Sequence, residues 1–527
     1  MTPPAGNTQN NSYTPTGKTS VRGTLSEVTL YDAFGRVASI TRGGIAKTRT
    51  YDAYGRVSFI SDPNAATGTT YQYDALGRVI KLTNADGTSQ TTAYGPATRT
   101  VTDERGKATT YTYRSYGDPE KQFLMAIAAA DPAANISLTR DARDQVTSVS
   151  QGGFTRTYGY NVNGYLASVN NPETGDTLYG RDIAGNMVSS QVGASGVTSY
   201  TYDSQNRQTA IIYPGGTPSV KKTYDKTGNL LTSSSSGGIR SFAYNSVGLP
   251  TQERLSIDGK LFKLSYAYDS NDRLRSVTYS PSGSVIEYAP DVLGRPTKVS
   301  GYVDKATYWP NGMIKRIAYA NGTVTSFGQT PRLWPSFFNT ETTAGAEYLK
   351  SSYSYDGVGN LLSVNDFVDN NMDRTLAYDD INRLVGANGF WGTGVLTYDG
   401  VGNLIQQAFG SNSLSYSYDV QNRLAAVNGQ RVANLSYDVY GNVSASGGNT
   451  YTYDDVPNLV CVNCGNAASK LEYQYDGLNQ RSSVSSAGNK IYEMQDSDGK
   501  LRMQLDGETL TEYFYLGDQR IAQRVSP

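Results

Sequence analysis

"YDAFGRVASI" occupies residues 31–40, and twenty residues later "YDAYGRVSFI" occupies residues 51–60. The dipeptide Tyr-Asp recurs thirteen times, at Tyr31, Tyr51, Tyr73, Tyr202, Tyr224, Tyr268, Tyr355, Tyr378, Tyr398, Tyr418, Tyr437, Tyr453 and Tyr475. Neighbouring copies often lie 19 to 23 residues apart. Decayed copies fill several gaps, among them "YRSYGD" at Tyr113, "YNVNGYL" at Tyr160, "RDIAGNM" at Arg181 and "YNSVGLP" at Tyr244. The unit reads Y-D-x-x-G-[RN]-[LV], followed by a short apolar stretch and a second polar turn. Self-similarity at such a period marks a repeat architecture.

The fifth position decides the local geometry. Gly fills it at Gly35, Gly55, Gly77, Gly228, Gly359, Gly402 and Gly441, Asn at Asn206, Asn382, Asn422 and Asn479, and Asp at Asp272. Gly, then Asn and Asp, is the order of tolerance for positive φ. The slot therefore reads as a left-handed residue closing a type I turn in a short hairpin loop. The Asp at position two, as in Asp32, Asp52, Asp74 and Asp356, can accept hydrogen bonds from amides just ahead of it. Pro457 occupies the fifth position of one copy. Proline disfavours positive φ, so the turn after Tyr453 is expected to differ.

The flanks read as strands. Ten Tyr-x-Tyr triplets precede turns, including Tyr71/Tyr73 and Tyr353/Tyr355. Residues i and i+2 share a strand face, so these tyrosines line one face and can form a cross-strand ladder. After the turn come "RVASI", "RVIKL", "NLLSV" and "RLAAV", apolar and of strand length. Val37 and Ile40 are three apart, which implies a bulge or a sheet covered on both faces. The expected fold is all-β, built of consecutive antiparallel hairpins of about twenty residues each. Residues 1–26 read as an irregular lead-in and 27–527 as the repeat region, with irregular inserts near 120–140 and 327–350. The Ala-rich residues 120–135 read as a short helix or an irregular insert.

Composition suits a thin wall. Hydrophobic residues make up 38% of the 527, and that figure includes 42 tyrosines against 13 phenylalanines. The net charge is −1 with no basic stripe, which argues against nucleic acid as a partner. The N-terminus has no apolar core of a signal peptide, and the longest apolar run, residues 123–130, is too short to span a bilayer. With no histidine, Ser-His-Asp and Cys-His chemistry is excluded. Cys461 and Cys464 are at best half a zinc site, and read as free thiols or a small disulfide. No cofactor, metal or catalytic residue is expected, and the recurring Asp is explained by the turn. The Arg at position six (Arg36, Arg56, Arg78, Arg207, Arg383, Arg423) reads as paired with Asp or lying over a tyrosine ring. The singled-out residues are therefore structural: the twelve turn residues above, with Tyr31, Asp32, Tyr51, Asp52, Tyr73, Asp74, Tyr355 and Asp356 as the motif.

Tyr-Asp-x-x-Gly-Arg-Leu at this spacing, from about residue 28 to 525, resembles the YD-repeat or RHS (rearrangement hotspot) family, with relatives in the C component of toxin complexes, wall-associated proteins and teneurins. The resemblance implies a β-hairpin ribbon coiled into a spiral, hollow or partial shell. In bacterial members such a shell sequesters a C-terminal toxic cargo until delivery. The implied partners are that cargo polypeptide and delivery-machine proteins. The implied location is exported or cell-surface, after a cytoplasmic stage. The core signature of self-cleaving members, DPxG, does not occur: the Asp-Pro pairs at Asp62, Asp118 and Asp131 lack the Gly. The C-terminal core and toxin domain are read as absent from this chain. The alternative is a cell-surface adhesion or carbohydrate-binding module using exposed tyrosines. A β-propeller of doubled repeats is the architectural rival, disfavoured because the single period dominates.

Overall fold

The computed structural model describes residues 8–115 and 122–527. Among these residues there are forty-nine strands, two short 3-10 turns and no α-helix. Strand order is sequence order, in one run of 27 strands from Gln9–Thr14 to Val285–Glu287 and a second of 22 from Val303–Tyr308 to Gln519–Ser526. The recorded pairings are antiparallel, as in Leu25–Tyr31 with Val37–Arg42 and Ile45–Tyr51 with Val57–Ser61.

The motif turn carries a bulge with it. Leu30 pairs with Ser39 but Tyr31 pairs with Val37, so one extra residue is absorbed beside the turn. The same shift follows Thr50, Gln72, Thr201, Ser354 and Gln474. Because a strand alternates faces with period two, the extra residue brings Val37 and Ile40 onto the face of Tyr31. The i, i+3 apolar spacing of the repeat is thus strand periodicity plus one bulge.

Three segments differ from the sequence reading. Residues 9–26 are not an irregular lead-in: Gln9–Thr14 pairs with Gly17–Arg22, which pairs with Leu25–Tyr31. These polar strands, the first of them exposed throughout, are held by backbone pairing to a neighbour, which hydrophobic periodicity does not report. Residues 122–140 contain the strands Gln122–Ala128 and Ile136–Arg140, with a 3-10 turn at Pro132–Ala134. The ladder to Ala108–Ser115 overrides alanine's preference for helix. The rest of the lead-in (1–7), and residues 116–121 of the copy begun at Tyr113 and of the Ala-rich stretch, lie outside the described residues. Residues 327–350 belong to the strands Thr323–Gln329, Pro335–Thr342 and Glu347–Tyr355. There Thr330 and Leu333 take the places of Asp and Gly: Thr330 N–H donates to the Trp334 carbonyl at 2.8 Å, and Leu333 has φ of 62°.

Most described residues are half-buried or exposed and few are fully buried, as in a single sheet layer with both faces accessible. Contacts divide the chain into two units, each combining early and late stretches of the ribbon. Among the described residues the first comprises 8–115, 122–138, 268–274 and 288–413, and the second 139–267, 275–287 and 414–527. In the first unit, Val299, Val303, Ile317 and Val324 form a small core, and the Arg105 guanidinium donates to the Asp379 carbonyl and the Asn382 side chain at 2.8 and 2.7 Å.

The second unit holds a larger core of Leu255, Phe262, Leu264, Val277, Met494, Met503 and Phe514, with the Tyr279 and Phe514 rings edge to face at 5.3 Å. Charges are buried beside it. Arg240 and Asp476, both fully buried, pair at 2.6 Å, and the Arg240 guanidinium also donates to the Gln480 side chain at 2.6 Å. The Glu253 carboxylate accepts from the Tyr266 hydroxyl at 2.8 Å and the Ser497 amide at 2.8 Å. Removing one member of a buried pair strands the other without a counter-charge. Arg240→Met is therefore expected to cost about 3–5 kcal/mol. Thermal and urea unfolding of the full chain check this; unfolding indistinguishable from the parent would show the pair to be dispensable.

Candidate functional site: the turn edge of the ribbon

The first motif turn is built around one carboxylate. The Asp32 N–H donates to the Arg36 carbonyl at 2.8 Å, and the Gly35 N–H to the Asp32 carbonyl at 3.0 Å. Asp32 Oδ1 accepts from the amides of Phe34 and Arg36, both at 2.9 Å, while Oδ2 accepts from Arg36 Nε at 2.8 Å. Asp52 and Asp74 repeat this set. The two letters found at position six share this job: Asn229, Asn360 and Asn403 each donate Nδ2 to the Oδ2 of their own Asp at 2.8 Å. Asn161 and Asn245, at position two of decayed copies, keep the two amide contacts through Oδ1.

φ lies between 59° and 98° at Gly35, Gly55, Gly77, Asn206, Gly228, Asp272, Gly359, Asn382, Gly402, Asn422, Gly441 and Asn479. Asp272 also receives an ion pair from Arg22. The turn after Tyr453 departs from the expectation. It keeps the frame, with the Asp454 N–H donating to the Asn458 carbonyl at 3.0 Å and Asp454 Oδ1 accepting from Val456 and Asn458, both at 2.9 Å. Pro457 is drawn to φ of 28°, because the flanking hydrogen bonds over-determine the loop; only the amide that proline lacks is missing.

The repeats are locked to one another by contacts that the motif does not spell out. The motif tyrosine donates its hydroxyl to a carbonyl of the preceding hairpin, beside the bulge where the ladder is interrupted. Tyr51 reaches Val37 at 2.8 Å, Tyr73 reaches Val57 at 2.7 Å, Tyr224 reaches Gln208 at 2.8 Å and Tyr475 reaches Leu459 at 2.9 Å. The Arg at position six then covers the next tyrosine: Arg36 over Tyr51 at 4.2 Å, Arg56 over Tyr73 at 4.6 Å, Arg78 over Tyr94 at 4.2 Å, Arg423 over Tyr437 at 4.7 Å. Its outer nitrogen continues to the next turn, where Arg56 and Arg207 donate to the carbonyls of Asp74 and Asp225 at 3.0 and 2.7 Å. Where Trp334 replaces Arg, its ring packs on Tyr355 at 5.3 Å. Tyr31 follows a different neighbour, donating its N–H to the Thr16 carbonyl at 2.9 Å.

All thirteen motif tyrosines are half-buried, and in strands such as Gly68–Tyr73 and Leu471–Tyr475 exposed residues alternate with them. Burial pushes the Tyr73 hydroxyl up, and the Asp52 charge adds to this, keeping the phenol a neutral donor. Cys461 and Cys464 form a disulfide. Among the described residues no group of three or more Cys, Asp or Glu is placed to hold a metal, and no helix is long and apolar enough to cross a membrane.

Several turn carboxylates are held ionised. The Arg78 and Arg207 amides, aided by the guanidiniums, hold Asp74 and Asp203 below the usual carboxylate range. At Asp225 partial desolvation opposes ionisation but is outweighed by the Asn229 and Thr227 side chains, which bring it down to about 2. Each such group stabilises the fold fully above its unfolded pKa and loses that contribution as pH falls through the folded value. Glu253 and Asp62 run the other way, since burial raises both, but they are two groups against many. The thermal midpoint is expected to stay level down to about pH 5 and to fall between about pH 4 and 2; a midpoint that rises over that interval would contradict this. Pro457→Gly is expected to stabilise by about 1–3 kcal/mol, relieving a strained φ and restoring a donor; a destabilised variant in thermal unfolding would refute the strain.

A family model described as teneurin YD-shell matches residues 186–456 and 337–495, together more than half of the chain, and an RHS repeat model matches residues 51–89. No curated protein sequence matches. Among solved structures, TcdB2-TccC3-TEV superposes with a TM-score of 0.71 at 14% identity, over 93% of this chain and 32% of that one. TcdB2-TccC3 without its hypervariable C-terminal region gives 0.62 at 14%, over 94% and 32%. The Tc holotoxin pore of Photorhabdus luminescens gives 0.61 at 15%, over 98% and 31%. The chain thus spans about a third of the length of each of these proteins. On the family match and the Tyr-Asp repeat together, this chain belongs to the teneurin YD-shell family of RHS-repeat proteins.

Proposed function

We propose that this chain is wall material: a structural shell of an RHS-type toxin that sequesters a C-terminal toxic cargo until delivery, without catalysing a reaction itself. One observation carries the reading. The motif tyrosines spend their hydroxyls on carbonyls of the preceding hairpin and their ring faces under arginine. A side chain committed on both counts to the preceding repeat is a wall component. The same commitment counts against the adhesion reading, which needs the ladder free for a sugar. The fold likeness to TcdB2-TccC3 without its hypervariable C-terminal region supports a shell whose fold is independent of what it encloses. The partners are then the enclosed polypeptide and the proteins that deliver it, in a bacterial system that exports the assembly or displays it at the cell surface after a cytoplasmic stage.

Roughly fifty strands of about six residues, ~4.8 Å apart, would close around a lumen of about 13,000 Å³, room for a folded chain of roughly 100 residues. Electron microscopy of the purified protein is expected to give a particle with an empty centre, and a co-produced cargo is expected to resist added protease until the shell is denatured. A solid particle, or a cargo cut as fast as the free polypeptide, would overturn the reading.

A further inference from the structure

A cleft of about 550 Å³ opens in the first unit, over the hairpins of residues 37–61. Its floor is aliphatic, from Ile40, Ile45 and Ile60, and its rim is cationic, from Arg42, Lys47 and Arg49. Strand register sets the arrangement. Ile40 faces Lys47 and Arg42 faces Ile45 across one pair of strands, and Arg49 faces Ile60 across the next. Directly opposed residues share a face, so apolar and cationic side chains alternate over three strands, on the face that carries Tyr51. A further wall comes from Leu293. Its side chain stands 2.7 Å from where a Cβ on Gly43 would lie, and Gly43 has φ of 55°. Only glycine at that hairpin tip lets the late stretch of the ribbon close over the early one.

The charges of the cleft are not balanced. Arg42 lies 3.8 Å from Glu27, and Lys47 acts on the carboxylate of Asp62. Arg49, exposed, has no hydrogen-bonded or ion-paired partner among the described residues. Three cations thus face two carboxylates, and the surplus charge stands beside an apolar floor. The complement is an anion with aliphatic flanks. Lys47 and Arg49 are two residues apart on one strand, roughly 6.7 Å, which is also the spacing of same-face side chains along an extended peptide. A single alkyl carboxylate would engage one of the two.

We propose that this cleft seats an extended segment of the enclosed polypeptide in which carboxylates alternate with aliphatic side chains. The proposal rests on the enclosure reading above and adds the chemistry of the contact. A fluorescein-labelled Leu-Glu-Leu-Glu-Leu peptide, titrated into the full chain and read by anisotropy, is expected to bind. Leu-Gln-Leu-Gln-Leu is expected to bind at least tenfold more weakly. Arg49→Gln with Lys47→Gln is expected to weaken the acidic peptide at least tenfold, as is 0.5 M salt, whereas Arg49→Lys retains it. Circular dichroism checks that the exposed substitutions leave the fold intact. Equal binding of both peptides, binding indifferent to the double substitution, or binding of dodecanoate without the peptide would each overturn the proposal. If the peptide fails while a cargo is still protected from protease, this inference alone falls. If the peptide binds through Arg49 but the particle is solid, the cleft stands as a peptide site and enclosure falls.

Discussion

A hairpin loop of this type leaves two amides, at the fourth and sixth positions of the motif, without a ladder partner, and an unpaired backbone donor is costly. One carboxylate at position two takes both, and its second oxygen takes the side chain at position six. Everything else follows from the loop being closed in this way. The closed loop needs a left-handed residue at position five. The extra residue beside it becomes a bulge, and the bulge sets which side chains share a face. Strand register is unforgiving, since a one-residue slip moves every side chain to the other face. The carboxylate therefore fixes the side on which the tyrosines stand, although it touches none of them.

The energetics are distributed rather than central. The buried apolar residues are few for a chain of this size, so no large core anchors the ribbon. In its place each repeat contributes a phenol-to-carbonyl hydrogen bond, worth about 0.5–1.5 kcal/mol, and an arginine over a ring, worth about 0.5–1 kcal/mol where exposed. The Asp–Arg ion pairs add little singly, but they fix the guanidinium plane that lies on the next tyrosine. Stability of this kind approximates a sum over neighbouring repeats. The second unit departs from it: Arg240, Glu253 and Asp476 place charge where solvent cannot reach, and the Arg240–Asp476 and Glu253–Ser497 contacts each join residues more than 230 apart in sequence.

Fold class could be read from the sequence because the repeat prints its turn chemistry in every copy, and turn chemistry is local. Position five admits few residue types, and Gly, Asn and Asp all sit there at positive φ. Features that depend on distant neighbours are not encoded locally. Strands at residues 9–22 are polar and gain their pairing from a neighbour. Leu333, a poor candidate for a left-handed slot, is held there by Thr330 and Trp334, so a repeat lay hidden in an apparent insert. The intrinsic preference of Pro457 argues against a left-handed φ, and the surrounding hydrogen bonds override it. The lock between repeats was legible only as two alternatives for arginine, pairing with Asp or covering a ring. The geometry does both at once, because the guanidinium has one edge for the carboxylate and a flat face for the tyrosine.

The same geometry explains which positions are free to vary. The side chains at positions one, two and six are held by hydrogen bonds or ring contacts and position five by its φ, while position four is held through its backbone amide, which any residue but proline supplies. At positions three and four the chain places Phe34, Tyr54, Leu76, Ile183 and Val420, all largely exposed. These apolar side chains at the tips cost the fold nothing, since the loop is closed by backbone and carboxylate alone. Along the strands the residues between bulges are similarly unconstrained, so long as the face alternates. A repeat of this design therefore separates its duties: the turn keeps the ribbon in register, and tips and strand faces are left open to be shaped for whatever lies against them. The cationic and aliphatic alternation around Arg49 occupies one such unconstrained stretch, where the proposed peptide contact can change without disturbing the turns that keep the register.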